Sequence, residues 1–162
     1  MGRYSNLWIR QAYFAGGFYN GANSPTFGLY NNSPTQYLVV RALELAIYNN
    51  QAVVEVGPVK GQVSGSNLTV TSLSFDTGIP TGLLTSSGQT SSPLGSAFWA
   101  VDIGSSTWSW IHDFPVAVIQ PGWSLVAYNS TNAANMGSGW WWEAVEIDQL
   151  EPWVERAREF AG

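Results

Sequence analysis

The sequence predicts an all-β protein, an antiparallel, jelly-roll-like β-sandwich of about eight strands. Gly, Pro, Asn and Ser punctuate the chain about every ten residues, and the short runs between them are rich in β-forming residues, a pattern typical of sandwiches and barrels. The length of 162 residues suits one domain that buries a core without covalent staples. We therefore predict one sandwich domain over residues 1–150 and a short helical tail over residues 151–162.

The strand signal falls on a series of short segments, in which β-branched and aromatic residues are concentrated. These segments are Leu7–Phe14, Gln36–Tyr48, Ala52–Val56, Leu68–Phe75, Ala97–Val101, Phe114–Ile119, Ser124–Tyr128 and Trp140–Ile147. The second segment also contains good helix formers, but the residues on both sides of them favour a strand. One face of that strand should then hold Val39, Arg41, Leu43, Leu45 and Ile47, and the other Ala42, Glu44 and Ala46.

Between the strands, three segments are predicted as loops: Phe14–Pro25, Thr77–Pro93 and Asn129–Gly139. The first is rich in glycine, but no lysine and no helix follow it, so it is not a phosphate-binding loop. The segment Gln120-Pro121-Gly122-Trp123 suits a type II turn, with proline at the second position and glycine where φ must be positive. We expect this turn to join a hairpin and to fix its register.

The helical tail is predicted from a change of composition after residue 150. Pro152 suits a first helical turn, and the apolar side chains that follow fall on one stripe at helical spacing. Those side chains are Trp153, Val154, Ala157 and Phe160. Because a helix of this length is marginal by itself, we expect it to dock on its own sandwich or on a partner.

The charge of the chain excludes two classes of partner. Charged residues make up only 10% of the sequence, the net charge is −5, and Lys60 is the one lysine. Binding to a phosphate backbone or to an anionic membrane surface requires clustered Lys and Arg, so we predict neither nucleic acid nor membrane as a partner. The chain has no cysteine, which excludes disulfides and thiolate sites. The segment Met1–Trp8 lacks an apolar signal-peptide core, so we expect folding in a cytoplasm.

The residue types for catalysis are sparse. His112 is the only histidine, and its neighbour Asp113 would point to the opposite face of a strand. A triad through Asp102 or Asp76 remains open, but no Gly-x-Ser-x-Gly element marks a nucleophile. A structural histidine is therefore favoured over a catalytic one.

Metal and glycosidase chemistry are disfavoured on similar grounds. Calcium could use scattered carboxylates, at Asp76, Asp102, Asp113 and Asp148, but no calcium-loop spacing is present. Glu143 and Glu146 are three residues apart on a predicted strand, so they face opposite sides and do not form a catalytic pair. We predict a protein that is not an enzyme, with no cofactor and no metal.

The tryptophans are the most informative residues for binding. On a strand, Trp140 and Trp142 share one face and Trp141 lies on the other, so both faces carry bulky rings. One face should fill the core, and the other must be covered by a partner, a sugar or the tail. We predict that Trp140, Trp141, Trp142, Trp153 and Phe160 supply contacts to a partner protein.

Three features together resemble small jelly-roll virion proteins of tailed bacteriophages. They are the run Tyr37–Asn49, the segment Phe114–Val126 with its hydrophobic-Pro-Gly-x-Ser-Leu turn, and a late aromatic strand that reaches Trp142-Glu143. As architecture, the resemblance spans Gln36–Ile147. The helical tail departs from the pattern of the family.

The resemblance implies a non-enzymatic structural protein that decorates or cements a capsid, or builds a head fibre or tail part, usually as a trimer. The implied partners are further copies of the chain and the major capsid or other virion proteins. The implied location is the virion, assembled in the cytoplasm of a host bacterium. The alternative is a carbohydrate-binding module, receptor-binding or lectin-like, that uses surface Trp and Tyr from the segments Gly16–Pro34 or Asn129–Gly139.

Overall fold

The computed structural model describes residues 11–73, 79–111, 116–131, 135–148 and 150. Twelve strands are found in these ranges. In chain order they are β1 Gln11–Tyr19, β2 Ser24–Tyr30, β3 Gln36–Ile47, β4 Ala52–Lys60, β5 Ser66–Asn67, β6 Thr71–Ser72, β7 Leu83–Gln89, β8 Trp99–Ile103, β9 Thr107–Ile111, β10 Ala117–Ile119, β11 Trp123–Asn129 and β12 Met136–Glu146.

The strands form two antiparallel sheets of six strands each, which confirms the predicted all-β sandwich. In the first sheet the order is β10-β3-β12-β1-β6, and β9 also pairs with β3. In the second sheet the order is β5-β7-β2-β11-β4-β8. One large core lies between the two sheets, with Trp140 and Leu43 from the first and Phe27 and Leu125 from the second.

The long strand β3 confirms the choice of strand over helix for this segment, but one predicted face is wrong. Ala42 and Val40 lie opposite Trp141 and Trp142, which are consecutive on β12, so Arg41 is the extra residue of β3 at this point. This β-bulge reverses the alternation of the side chains. After the bulge, Leu43, Leu45 and Ile47 face the core as predicted, whereas before it Val39 packs on the outer face.

The glycine-rich segment Phe14–Pro25, predicted as a loop, instead contains the end of β1 and the start of β2. Strand β1 runs to Tyr19 and β2 begins at Ser24. Gly16 lies within β1, where an added Cβ would be only 3.0 Å from the backbone oxygen of Ser138 on β12. Glycine therefore permits a close approach of two strands here, rather than a turn.

Two further predictions failed between β4 and β8. The segment predicted as a loop, Thr77–Pro93, contains the seven-residue strand β7, which pairs along its whole length with β2. In the described part of the predicted strand Leu68–Phe75, residues 68–73, only Thr71–Ser72 form a strand, β6. The two-residue strand β5 precedes this segment and belongs to the other sheet. Strand β7 is rich in Ser, Gly and Thr, so its sequence carries little strand signal, and pairing with a buried neighbour decides its conformation.

The other predicted strands are found with shifted ends. Those at Ala52–Val56, Ser124–Tyr128 and Trp140–Ile147 correspond to β4, β11 and β12, and Ala97–Val101 corresponds to β8. Strand β12 begins already at Met136, inside the predicted loop Asn129–Gly139. The predicted helical tail at residues 151–162, and the beginning of the predicted strand at Leu7, lie outside the described residues.

Candidate functional site

The tryptophans of β12 divide between the core and the outer face. Trp140 and Trp142 are 0% and 1% exposed and lie between the two sheets. The indole Nε1 of Trp142 donates to the backbone oxygen of Thr81 at 2.8 Å, and its ring lies 5.8 Å from that of Tyr13. These two rings are enclosed by the chain itself, which corrects the prediction that they supply contacts to a partner.

Trp141 lies on the outer face of the first sheet, as the alternation of the strand predicts. Its ring is half-buried and packs against Phe14 of β1, with 4.7 Å between the ring centroids. Trp141 is therefore the one member of the tryptophan triplet whose ring can reach a ligand or partner. The other predicted contact residues, Trp153 and Phe160, lie outside the described residues.

The predicted turn at Gln120–Trp123 is confirmed in its local geometry. The backbone nitrogen of Trp123 donates to the oxygen of Gln120 at 3.2 Å, and Gly122 has a φ of 77°. These are the features of a type II turn with Pro121 at its second position. The predicted hairpin is wrong, however, because β10 pairs with β3 in the first sheet and β11 pairs with β2 and β4 in the second. The turn joins the two sheets at one end of the sandwich.

The side chain of Asn31, which follows β2, holds this corner in place. Its amide nitrogen donates to the backbone oxygens of Gln36 at 2.8 Å and Ile119 at 2.9 Å, and its amide oxygen accepts from the nitrogen of Ser33 at 3.0 Å. The backbone of Asn31 also bonds to that of Gly122 and Trp123. Asn31 is fully buried, so one side chain ties the ends of three strands to the turn.

Replacing Gly122 by alanine should lower the free energy of unfolding by about 1–2 kcal/mol, because an L-residue resists a positive φ. An added Cβ at this position meets no atom within 4 Å, so the effect is purely conformational. The matched control is Gly95→Ala, where a Cβ also meets nothing and the φ is not in the left-handed region. The free energies of unfolding of both variants are measured by urea denaturation. If the two variants are equally stable, the cost at Gly122 does not come from its positive φ.

An open apolar groove of about 320 Å³ lies beside this turn. It runs between the edge strand β10 and the strands β4 and β11 of the second sheet. The groove-lining side chains include Tyr37, Phe98, Val118, Ile119 and Trp123. Phe98 and Val118 are 57% and 43% exposed, so large apolar surface remains open to solvent. We call this feature the edge groove.

Sequence analysis did not single out Phe98 or Val118. In the run Ala117-Val118-Ile119, Val118 points to the face opposite to that of Ile119, which is 4% exposed. This alternation is the sequence signal that could have identified Val118 as an exposed side chain. Nothing local shows that β10 lies at the edge of its sheet, because that position depends on pairing with β3. An edge position is what leaves the outer side chain uncovered.

The polar residues considered for chemistry have separate partners. Arg41 Nη1 lies 2.9 Å from Glu143 Oε1, whereas Glu146 accepts from Gln36 Nε2 at 3.0 Å. The described residues include no group of three or more His, Cys, Asp or Glu that could hold a metal ion. His112, Asp113 and Asp76 lie outside the described residues, so the catalytic alternatives that involve them stay untested.

Comparisons with known proteins give no relative for this fold and these sites. No family model, no curated protein and no solved structure matches the chain. In the ranges that the structure describes, no helix is long and apolar enough to cross a membrane.

Proposed function

We propose that this chain is a non-enzymatic structural component of a bacteriophage virion. Within that class we favour an oligomeric capsid decoration or cement protein, with a trimer as the expected assembly. Its partners would be other copies of the chain and the major capsid or other virion proteins. The observation that carries the proposal is the edge groove, because its uncovered apolar side chains suit a protein that works in contact with other subunits.

The order of the strands supports a jelly roll, the fold of the virion proteins that the sequence resembles. If the inserted strands β5, β6 and β7 are set aside, the remaining strands pair from the two ends of the chain inward. Strand β1 pairs with β12, β2 with β11, β3 with both β9 and β10, and β4 with β8. This pairing is the one expected when a long antiparallel hairpin folds into two packed sheets. Viral capsid domains and lectins both use such rolls, so fold alone does not decide the function.

The groove itself has the composition of a subunit contact. Its rings and aliphatic side chains lie next to β10, an edge strand of three residues whose far side has no hydrogen-bonded neighbour among the described strands. A second subunit could cover Phe98 and Val118 and shield this edge at the same time. The low charge of the chain, 10% of residues, gives little repulsion between neighbouring copies.

The test is the mass of the protein in solution. Light scattering at several concentrations should show a stable trimer. Replacing both Phe98 and Val118 by aspartate should raise the dissociation constant at least about 100-fold, because an unpaired carboxylate at an interface costs several kcal/mol. The matched control is Ile79→Asp, which places the same charge on a side chain that is 92% exposed away from the groove.

Two outcomes would reject the proposal. One is a wild-type protein that stays monomeric at high concentration and does not sediment with purified capsids. The other is a Phe98 and Val118 double variant that assembles as well as the Ile79→Asp control.

A further inference from the structure

The outer face of the first sheet carries exposed aromatic rings around a floor of very small residues. Phe18, Gly137, Ala46 and Trp108 lie opposite one another on β1, β12, β3 and β9. Phe18 and Trp108, at the two ends of this row, are 50% and 62% exposed. Tyr48, just past the end of β3, is 55% exposed and meets Phe18 edge to face with 4.9 Å between ring centroids.

The floor is small because aromatic rings lie on it. A Cβ added to Gly137 would be 3.1 Å from the ring of Tyr48, and one added to Gly139 would be 3.1 Å from the ring of Trp141. Both rings therefore lie close against glycine backbone on this face of the sheet. We call the set Phe18, Tyr48, Trp108 and Trp141 the aromatic shelf.

A carboxylate lies among these rings. Glu44 is opposite Gly139, and its Oε2 is 3.3 Å from the position of an added Cβ at that glycine, beside the edge of Trp141. Arg41, the nearest cation along β3, pairs instead with Glu143. Of the residues described, none gives the Glu44 carboxylate a hydrogen bond or ion pair. An ionised carboxylate only accepts hydrogen bonds, so this one is suited to a ligand that donates them.

We propose that the aromatic shelf binds a neutral oligosaccharide. A pyranose has an apolar face of C–H groups and a rim of hydroxyl donors. The apolar face would lie on the rings of Trp141 and Tyr48, and the hydroxyls would donate to Glu44. The two glycines under these rings are two residues apart on one strand, about 7 Å, which suits neighbouring rings of one sugar chain.

The geometry favours a sugar over the other ligands that aromatic residues recognise. A quaternary ammonium is bound inside a cage whose rings enclose it, whereas Tyr48 and Trp141 each have a ring edge close against a glycine of the floor. A protein partner would need a broad apolar surface, whereas among the described side chains the floor between these rings is formed by Gly137, Gly139, Ala46 and the Glu44 carboxylate. The shelf is also separate from the edge groove, because β9 and β10 pair with opposite ends of β3.

The experiment is titration of the full chain with cello-, xylo-, manno-, malto- and chito-oligosaccharides, followed by tryptophan fluorescence and calorimetry. We expect at least one of these to bind with a millimolar or lower Kd. Trp108→Ala, Tyr48→Ala and Glu44→Gln should each raise that Kd at least tenfold. The matched control, Ile79→Ala, removes a side chain that is 92% exposed outside both the shelf and the edge groove, and should leave the Kd unchanged.

Binding should be unchanged by about 0.5 M NaCl, because a neutral ligand has no charge to screen. The proposal is overturned if none of the sugars binds, if the shelf variants bind as well as wild type, or if choline displaces the sugar. The unfolding temperature of each variant shows whether a loss of binding comes from a loss of folding. Trp108→Ala should affect folding least, because this side chain is 62% exposed. The shelf variants should keep the oligomeric mass, so failure here is distinct from failure of the proposed assembly.

Discussion

Replacing Trp142 by alanine is expected to lower the free energy of unfolding by about 3–5 kcal/mol, the range for large aromatic-to-alanine changes in a core. The ring is 1% exposed, packs beside Tyr13, and donates its Nε1 hydrogen to the oxygen of Thr81 at 2.8 Å. Truncation would leave a large cavity between the sheets and an unpaired carbonyl. Urea denaturation, followed by circular dichroism, measures the loss.

A pair of phenylalanine variants separates the hydrogen bond from the packing. Trp142→Phe removes the donor to Thr81, which should cost about 1–3 kcal/mol beyond the change in volume. In Trp140, the buried Nε1 has no hydrogen-bond partner among the residues that the structure describes, so Trp140→Phe removes a group without a described partner. We therefore expect Trp140→Phe to be the less destabilising change. A larger loss at Trp140 than at Trp142 would contradict the role of the bond to Thr81.

The parts of the fold that sequence predicts well are those in which the local pattern and the tertiary environment agree. Strand β11, Trp123–Asn129, is apolar and buried, and Pro121 and Gly122 before it define the turn. In β12, the alternation places Trp141 on the face opposite to Trp140 and Trp142. Each of these features depends on residues that are neighbours in sequence, so a single chain contains the information.

The failures share one physical cause, which is pairing with distant strands. Gly16 in β1 resembles a loop residue, yet its lack of a side chain admits β12. The change of face at Arg41 comes from a bulge that is visible only in the register with β12. The chain reversal at Gly122 is predicted correctly as a turn and wrongly as a hairpin. The pairing of the strands on either side of it depends on residues far from the turn.

The candidate sites were harder to predict for the same reason. Trp141 was identified, but Phe98 and Val118 become a groove only because β10 lies at the edge of its sheet. The two segments considered for sugar binding, Gly16–Pro34 and Asn129–Gly139, contribute Phe18 and Gly137 to the proposed aromatic shelf and its floor, but the shelf as a whole lies across four strands of the first sheet. Phe18 and Trp108 are far apart in sequence, and only the register brings them into one row.

Replacing Asn31 by alanine should be nearly as damaging as the loss of Trp142, although the side chain is small and polar. The substitution removes both donors to the oxygens of Gln36 and Ile119 and the acceptor for the nitrogen of Ser33. Because Asn31 is fully buried, these groups lose their partner at a cost of about 1–3 kcal/mol each, less where water can enter. We expect a total loss of about 3–5 kcal/mol in urea denaturation.

Asn31→Asp tests whether the donors are responsible. Aspartate keeps an acceptor for Ser33 but directs oxygen at two carbonyl oxygens, so it should be no better than alanine. The control is Asn67→Ala, an exposed asparagine whose change should stay within about 0.5 kcal/mol. Since Asn31 also fixes Ile119, a wall of the edge groove, its loss should weaken assembly as well as stability. An Asn31→Asp protein with wild-type stability would mean that the corner between the sheets is held by its backbone bonds and packing alone.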